Sequence, residues 1–314
     1  MLNNRWGKDI KMNHKSENHK MKYCTVSMKI FVCCFCLILL CSCTYFNNNP
    51  EDKKFVQKRR IALAAECIQR GDNFYAAQEY DLSTLEYSRA LEFTPDNATA
   101  YYYRGWSRAY IKLYYEAIQD FSMTIQLSPD DAAGYYSRGW VYAKVKDYDR
   151  AIQDCSKSIE LSPGDFMAYY TRAIAYARLK QYNKAVQDYF KAIEVKPDYV
   201  IAYRNVLEVS LISRSLKQFG EVLGRFDAAV PEYKLPKEDL IIKLYLTCIY
   251  KSLKNESAKE TEARLNELLK EHVKLKWSFD LTDGWLSDPY SNLTLEQTNY
   301  IRALTDRIKT TQSR

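Results

Sequence analysis

Histidine is nearly missing from this chain. Three occur in 314 residues, and only His272 lies beyond position 19. One histidine cannot build a His-rich metal centre, nor by itself a nucleophilic triad. Glycine is scarce too, with nine copies. No Walker-type loop and no glycine-rich fingerprint after a strand is present, which removes those nucleotide-binding devices. Six of the nine cysteines fall in residues 1–43. The other three, Cys67, Cys155 and Cys248, are widely spaced, with no pair at metal-ligand spacing. A basic excess is also lacking once the N-terminus is set aside. Residues 1–42 carry seven Lys and Arg against two Asp and Glu, leaving 39 basic and 37 acidic residues in the remainder. A net of +2 gives no global reason to expect nucleic acid. These absences predict a chain with no catalytic residues, metal or cofactor, and His272 reads as a solvated residue near a helix end.

What is present is a period. Pro95, Pro129, Pro163 and Pro197 stand 34 residues apart. Four windows end two residues past each proline: 64–97, 98–131, 132–165 and 166–199. Position 8 of the windows holds Gly71, Gly105, Gly139 and Ala173. Position 20 holds Ser83, Ala117, Ala151 and Ala185. Position 24 holds Tyr87, Phe121, Cys155 and Tyr189, and position 27 holds Ala90, Thr124, Ser158 and Ala192. Small residues at fixed places beside bulky ones are what closely approaching helices need. Each window reads as helix, turn, helix, and an Asp or Asn after the proline is placed to cap the next helix. Cys67 and Cys155 fall on core positions and read as small buried hydrophobes.

On these residues the windows resemble tetratricopeptide repeats. That pattern has small residues at positions 8, 20 and 27, aromatics at 11, 17 and 24, and proline at 32. Tyr80, Tyr114, Tyr148 and Tyr182 all occupy position 17. Arg108 at position 11, Ala173 for glycine and Ser83 for alanine depart from it. The resemblance implies an all-α, right-handed solenoid of helical hairpins over residues 64–199. A degenerate fifth repeat or cap is expected over 200–230, with a first helix from Val200 to about Ser213 and a second near Phe219–Ala229. A C-terminal helical region follows over 231–314. There Leu240–Lys254 and Glu260–Lys274 read as helices and Trp277–Leu286 as an aromatic plug. Leu295–Ile308 is a last helix opened by a capping box of Thr294 and Gln297.

The N-terminus is different material. Ile30–Leu40 is an uninterrupted apolar run of eleven residues. A comfortable membrane span needs about 20. With Leu40-Cys41-Ser42-Cys43 behind it, the segment resembles a bacterial lipoprotein signal peptide over residues 1–42. The resemblance implies cleavage after Ser42 and lipidation of Cys43, with residues 43–60 as tether. An uncleaved anchor and a misread start with no export are the competing readings; residues 1–20 are polar and long for a leader, which makes Met21 or Met28 a candidate for the true start of the signal peptide. Thr44 after the cysteine implies outer-membrane sorting in a Gram-negative cell.

In the tetratricopeptide family, first-helix positions 5, 6, 9 and 13 include those facing the concave side. Carried over, position 5 gives Tyr102, Tyr136 and Tyr170, and position 9 gives Trp106, Trp140 and Ile174. Position 13 gives Tyr110, Lys144 and Arg178, and position 6 adds Tyr103, Ser137 and Thr171. Tyr and Trp stand where chaperone-binding members keep a carboxylate clamp, so a terminal carboxylate is not the expected ligand. A protein segment with apolar side chains is, with Lys144 and Arg178 adding charge selection. The whole plan is weakly similar to outer-membrane lipoprotein adaptors of cell-wall hydrolases. It implies a membrane-anchored envelope scaffold that binds protein and no nucleic acid. A structural subunit of an envelope machine, for outer-membrane protein insertion or pilus assembly, and a receptor with an uncleaved anchor are the alternatives. Whether the C-terminal helices fill the groove is left open by the residues alone.

Overall fold

The computed structural model describes residues 50–271, 275, 277–288 and 291–312. Cys43 and His272 lie outside them, as does the whole segment read as leader. The described residues hold fourteen α-helices and one short 3-10 turn, Glu232–Lys234, and no strand. Five helix pairs follow one another: α1 (Pro50–Ala76) with α2 (Tyr80–Phe93), α3 (Ala98–Tyr110) with α4 (Tyr114–Leu127), and α5 (Ala132–Lys144) with α6 (Tyr148–Leu161). Then come α7 (Phe166–Arg178) with α8 (Tyr182–Val195) and α9 (Val200–Ile212) with α10 (Leu216–Ala229). Four helices complete the chain: α11 (Lys237–Leu253), α12 (Lys259–Leu269), α13 (Asp280–Leu286) and α14 (Leu295–Gln312). No helix among the described residues is long and apolar enough to cross a membrane.

The small residues set how closely the pairs approach. A Cβ added to Gly105 would meet Cε1 of Phe121 at 2.8 Å, and one added to Gly139 would meet Sγ of Cys155 at 2.9 Å. Positions 20, 24 and 27 are buried in all four windows. The caps are formed as the residues suggest. Asn97, Asp131 and Asp165 accept from the backbone N–H groups of Ala100, Ala133 and Met167. The tyrosines at position 17 are only half-buried, Tyr148 among them.

A second, polar ladder runs beside the apolar one. Arg104 donates two hydrogen bonds to Asp120, at 3.0 and 2.7 Å, and one to Ser88 at 3.1 Å. Arg138 does the same with Asp154 (2.7 and 2.9 Å) and Ser122 (3.1 Å). Arg172 repeats it with Asp188 (2.7 and 2.8 Å) and Ser156 (2.9 Å). Each arginine thus joins its own repeat's second helix to that of the repeat before. In the first repeat Arg70 pairs with Glu86 at 2.7 Å. Capping therefore explains only part of the acidic periodicity; Asp120, Asp154 and Asp188 serve this ladder instead.

Three expectations change. Of the tether expected over residues 43–60, the part from Pro50 onward is helix, continuous with the rest of α1. Within the described residues that helix runs unbroken from Pro50, and no glycine interrupts it before Gly71. The fifth pair is geometrically regular: α9 and α10 have the lengths and offset of the pairs before them, α10 starts at Leu216, and Pro231 stands 34 residues after Pro197. Its sequence looks degenerate because the polar ladder is replaced as a set. Phe190, Val206 and Val222 occupy the Ser, Arg and Asp positions, and both valines are fully buried. In the C-terminal region, α12 ends at Leu269, short of the expected Lys274. The capping box of α14 forms, with Thr294 and Gln297 each accepting from the other's backbone N–H at 3.1 Å.

Candidate partner-binding face

The first helices of successive repeats bring positions 5, 9 and 13 to one face. On α3 and α5 that face is an aromatic patch. The rings of Trp106 and Trp140 lie 5.2 Å apart, and Trp106 also meets Tyr110 (5.9 Å) and Tyr136 (6.3 Å). Lys144 sets its ammonium over Trp140 at 4.7 Å. The tryptophans and Tyr136 are half-buried, Lys144 is exposed, and Tyr110 keeps 48% of its surface in solvent. Tyr110 stacks on Tyr80 at 4.5 Å, which extends the patch toward α2. Burial pushes the Tyr136 hydroxyl well above the ordinary tyrosine value.

Position 6 turns away from this face. Ser137 and Thr171 are buried, and Tyr103 stacks on Tyr87 at 6.0 Å. Position 6 on a 13-residue helix points toward the preceding repeat, so these residues cement the stack. Tyr102 lies between the two groups, half-buried, edge-on to Tyr103 (5.2 Å) and Phe121 (6.0 Å).

The remaining candidates, Tyr170, Ile174 and Arg178 on α7, belong to a covered stretch. Tyr170 accepts a hydrogen bond from Asn205 at 3.0 Å and meets Tyr199 edge-on. Residues 277–288 fold back here, across α7 and α9. The Arg204 guanidinium lies 5.1 Å from the Trp277 ring and is also ion-paired to Asp239. Thr282 donates to Glu208 at 2.8 Å, and Arg178 faces Asp280 at 3.4 Å. Arg204 and Glu208 are positions 5 and 9 of the fifth pair. The C-terminal segment therefore fills the groove face at its far end, while no described residue covers the patch on α3 and α5. Burial pushes the Glu208 carboxyl up to about 7. Asp280 is held below the usual aspartate range by the Ser278 hydroxyl and by Arg178.

The residues mark Trp277–Leu286 as an aromatic plug without showing that it lies across α7 and α9, and they leave a row of turn residues unremarked. Lys112, Lys146, Lys180 and Arg214 recur every 34 residues, each with positive φ, at the turn between the two helices of a repeat. Their register was the available signal. A cleft of about 430 Å³ joins Trp140, Lys144, Lys146, Tyr148, Ile174 and Arg178. Among the described residues no group of His, Cys, Asp and Glu is disposed to hold a metal. The three described cysteines are free and buried, and burial pushes the Cys248 thiol up to about 11.

Residues 132–165 and 166–199 match the family described as tetratricopeptide repeat, and residues 71–107 match that described as TPR repeat. No curated protein sequence matches the chain. Among solved structures, PilW, described as a widely conserved type IV pilus biogenesis factor, is 19% identical. It aligns over 70% of this chain and 97% of its own, with a TM-score of 0.57. The structure reported for the functional characterisation of Pseudomonas aeruginosa pilF is 13% identical, aligned over 73% of this chain and 99% of its own, with a TM-score of 0.56. A MamA protein is 22% identical over 55% of this chain and 97% of its own, with a TM-score of 0.50. These likenesses are of fold.

Proposed function

We propose that this chain, with tetratricopeptide repeats over residues 71–107 and 132–199, is a lipid-anchored scaffold of the bacterial envelope that holds a protein partner on the face of α3 and α5. One observation carries the proposal. The Trp106–Trp140 pair is a half-buried aromatic patch edged by the exposed Tyr110 and Lys144, and among the described residues the chain's own segment covers the neighbouring stretch rather than this one. Clustered aromatics at a partly dry surface are the usual anchors of a protein interface. Anchoring rests on Cys43 and the apolar run before it. A second reading makes the partner a component of type IV pilus assembly, the process named for PilW, whose fold this chain shares over 70% of its length.

The test is partner capture by the intact protein and by the Trp106→Ala, Trp140→Ala double variant, with circular dichroism on both. Truncating a true anchor costs about 2 kcal/mol or more of binding, so capture falls at least about 30-fold with helicity kept. A variant that captures as well as the parent, or that mainly loses thermal stability, contradicts the proposal. An intact mass lacking residues 1–42 and carrying added acyl groups supports the anchor, and an unprocessed start refutes it.

A further inference from the structure

We propose that the open stretch of this face takes a partner segment that combines acidic with aromatic or aliphatic side chains, in the way the chain's own residues 277–288 occupy the covered stretch. The inference rests on the reading of the face as a partner site and adds the chemistry of the partner.

The basic row carries it. Lys112, Lys146, Lys180 and Arg214 occupy one equivalent turn position per repeat, and all are exposed. Lys144 and Arg178 stand two residues before that position in their repeats. In the last two repeats this row meets the C-terminal segment. Lys180 faces Asp288 at 3.3 Å, Arg178 faces Asp280 at 3.4 Å, and Arg214 donates to the Asn292 carbonyl at 2.6 Å. Apolar groups lie between these polar contacts: Leu281 and Trp285 line the same cleft as Arg178, Lys180 and Arg214. The chain's own segment is therefore an acidic and aromatic strip laid on cations and apolar walls.

In the second and third repeats the same row continues without its counterpart. Among the described residues, Lys112, Lys144 and Lys146 have no carboxylate within ion-pair distance, and Lys144 rests on the face of Trp140. The cleft beside Lys144 and Lys146 has aromatic walls, and its one carboxylate among the described residues, Asp280, pairs with Arg178 and feels Lys146 only from beyond ion-pair distance. Such a site is cationic and apolar at once. Its complement is a carboxylate a few residues from a ring or branched aliphatic side chain, seated on Trp106 and Trp140. The site differs from a carboxylate clamp because its cations stand at the turn and at position 13, leaving positions 5 and 9 aromatic.

The experiment is selection of random linear peptides displayed on phage against the intact protein, followed by titration of the enriched peptides against two variants. One is Trp106→Ala, Trp140→Ala; the other reverses the charge of the row, Lys112→Glu, Lys144→Glu, Lys146→Glu, at exposed positions where helicity is checked to be unchanged. The inference expects enriched peptides with Asp or Glu close to Trp, Phe or Leu. Their affinity falls about tenfold or more in both variants and weakens with added salt. Peptides that need the tryptophans but show no acidic bias and ignore the lysines overturn this inference and leave the face as a partner site. Absence of any tryptophan-dependent peptide overturns both. A labelled oligothymidine held through the same lysines, with acidic peptides excluded, also overturns it, because the row then serves nucleic acid.

Discussion

Consider the ion pair Arg138–Asp154 in the third repeat. The pair is nearly dry, with side-chain exposures of 22% and 11%, and Arg138 spends three N–H donors on Asp154 and Ser122. Asp154→Ala leaves the guanidinium largely buried without its partner. Breaking a buried pair from one side costs about 3–5 kcal/mol. Residual exposure of Arg138 puts this case near the lower end, about 3 kcal/mol. The fifth pair of helices supplies the control, since Phe190, Val206 and Val222 replace the whole Ser, Arg and Asp set there and are well packed. The triple change Ser122→Phe, Arg138→Val, Asp154→Val copies that solution into the third repeat. Replacing a buried pair by apolar residues of suitable shape is commonly neutral or better, so the triple variant unfolds within about 1 kcal/mol of the parent. Denaturant unfolding followed by circular dichroism reads the ranking, with amide exchange on α5 and α6 locating the loss, because repeat arrays unfold in parts. If Asp154→Ala costs under about 1 kcal/mol, or the triple variant is worse than the single one, the ladder is not what joins the repeats.

Three further outcomes are expected. Glu208 has a folded value near 7, above its ordinary 4.5, because it is buried under α13 with Thr282 as hydrogen-bond partner, Arg178 drawing the value down and Asp280 pushing it up. The unfolded chain releases this proton first, so stability is fully present below about pH 4.5 and falls as pH rises to about 7, by on the order of 3 kcal/mol. Glu208→Gln removes that slope in thermal melts from pH 4.5 to 8, and an unchanged slope contradicts the assignment. Gly139→Ala and Gly224→Ala should move in opposite directions. The first drives a methyl to within 3.3 Å of the Ala151 carbonyl and costs about 1–3 kcal/mol, whereas the second meets nothing within 4 Å and adds about 0.5–1 kcal/mol through helix propensity. Melting temperatures that shift the same way for both contradict the packing account. Cys43→Ser leaves an unacylated protein that partitions into the aqueous phase of a detergent extraction, and retention in the membrane fraction contradicts anchoring at Cys43.

The repeats were readable because the chain copies itself. Tyr101–Trp106 returns as Tyr135–Trp140 with one substitution, and a glycine at position 8 needs its bulky partner sixteen residues on. The copying fades in the fifth unit. Its helices keep their lengths, but Val206 and Val222 carry none of the polar pattern, so its residues read as a degenerate repeat or cap over 200–230 although its geometry is regular. On the face itself, the register places Trp106 and Trp140 side by side, and their rings do lie together, while Ser137 and Thr171 go to the helix interface because position 6 borders both. Trp277–Leu286 was readable as a plug, but the face it covers was not. Its contacts with the repeats join residues 73 to 108 positions apart, as in Arg204 with Trp277 and Lys180 with Asp288, and nothing in the segment itself repeats with the period of the array.

The central claim is that partners are held on the face of α3 and α5. The most direct measurement places a photo-crosslinking amino acid at Tyr136 on that face, and separately at Tyr115 on α4, which is 76% exposed. Both proteins are irradiated in the cells from which the chain comes, and adducts are read by mass. The account predicts a discrete protein adduct at position 136, lost when Trp106 and Trp140 are alanine, and none at position 115. Adducts at 115 alone, or adducts at 136 that persist without the tryptophans, would contradict it.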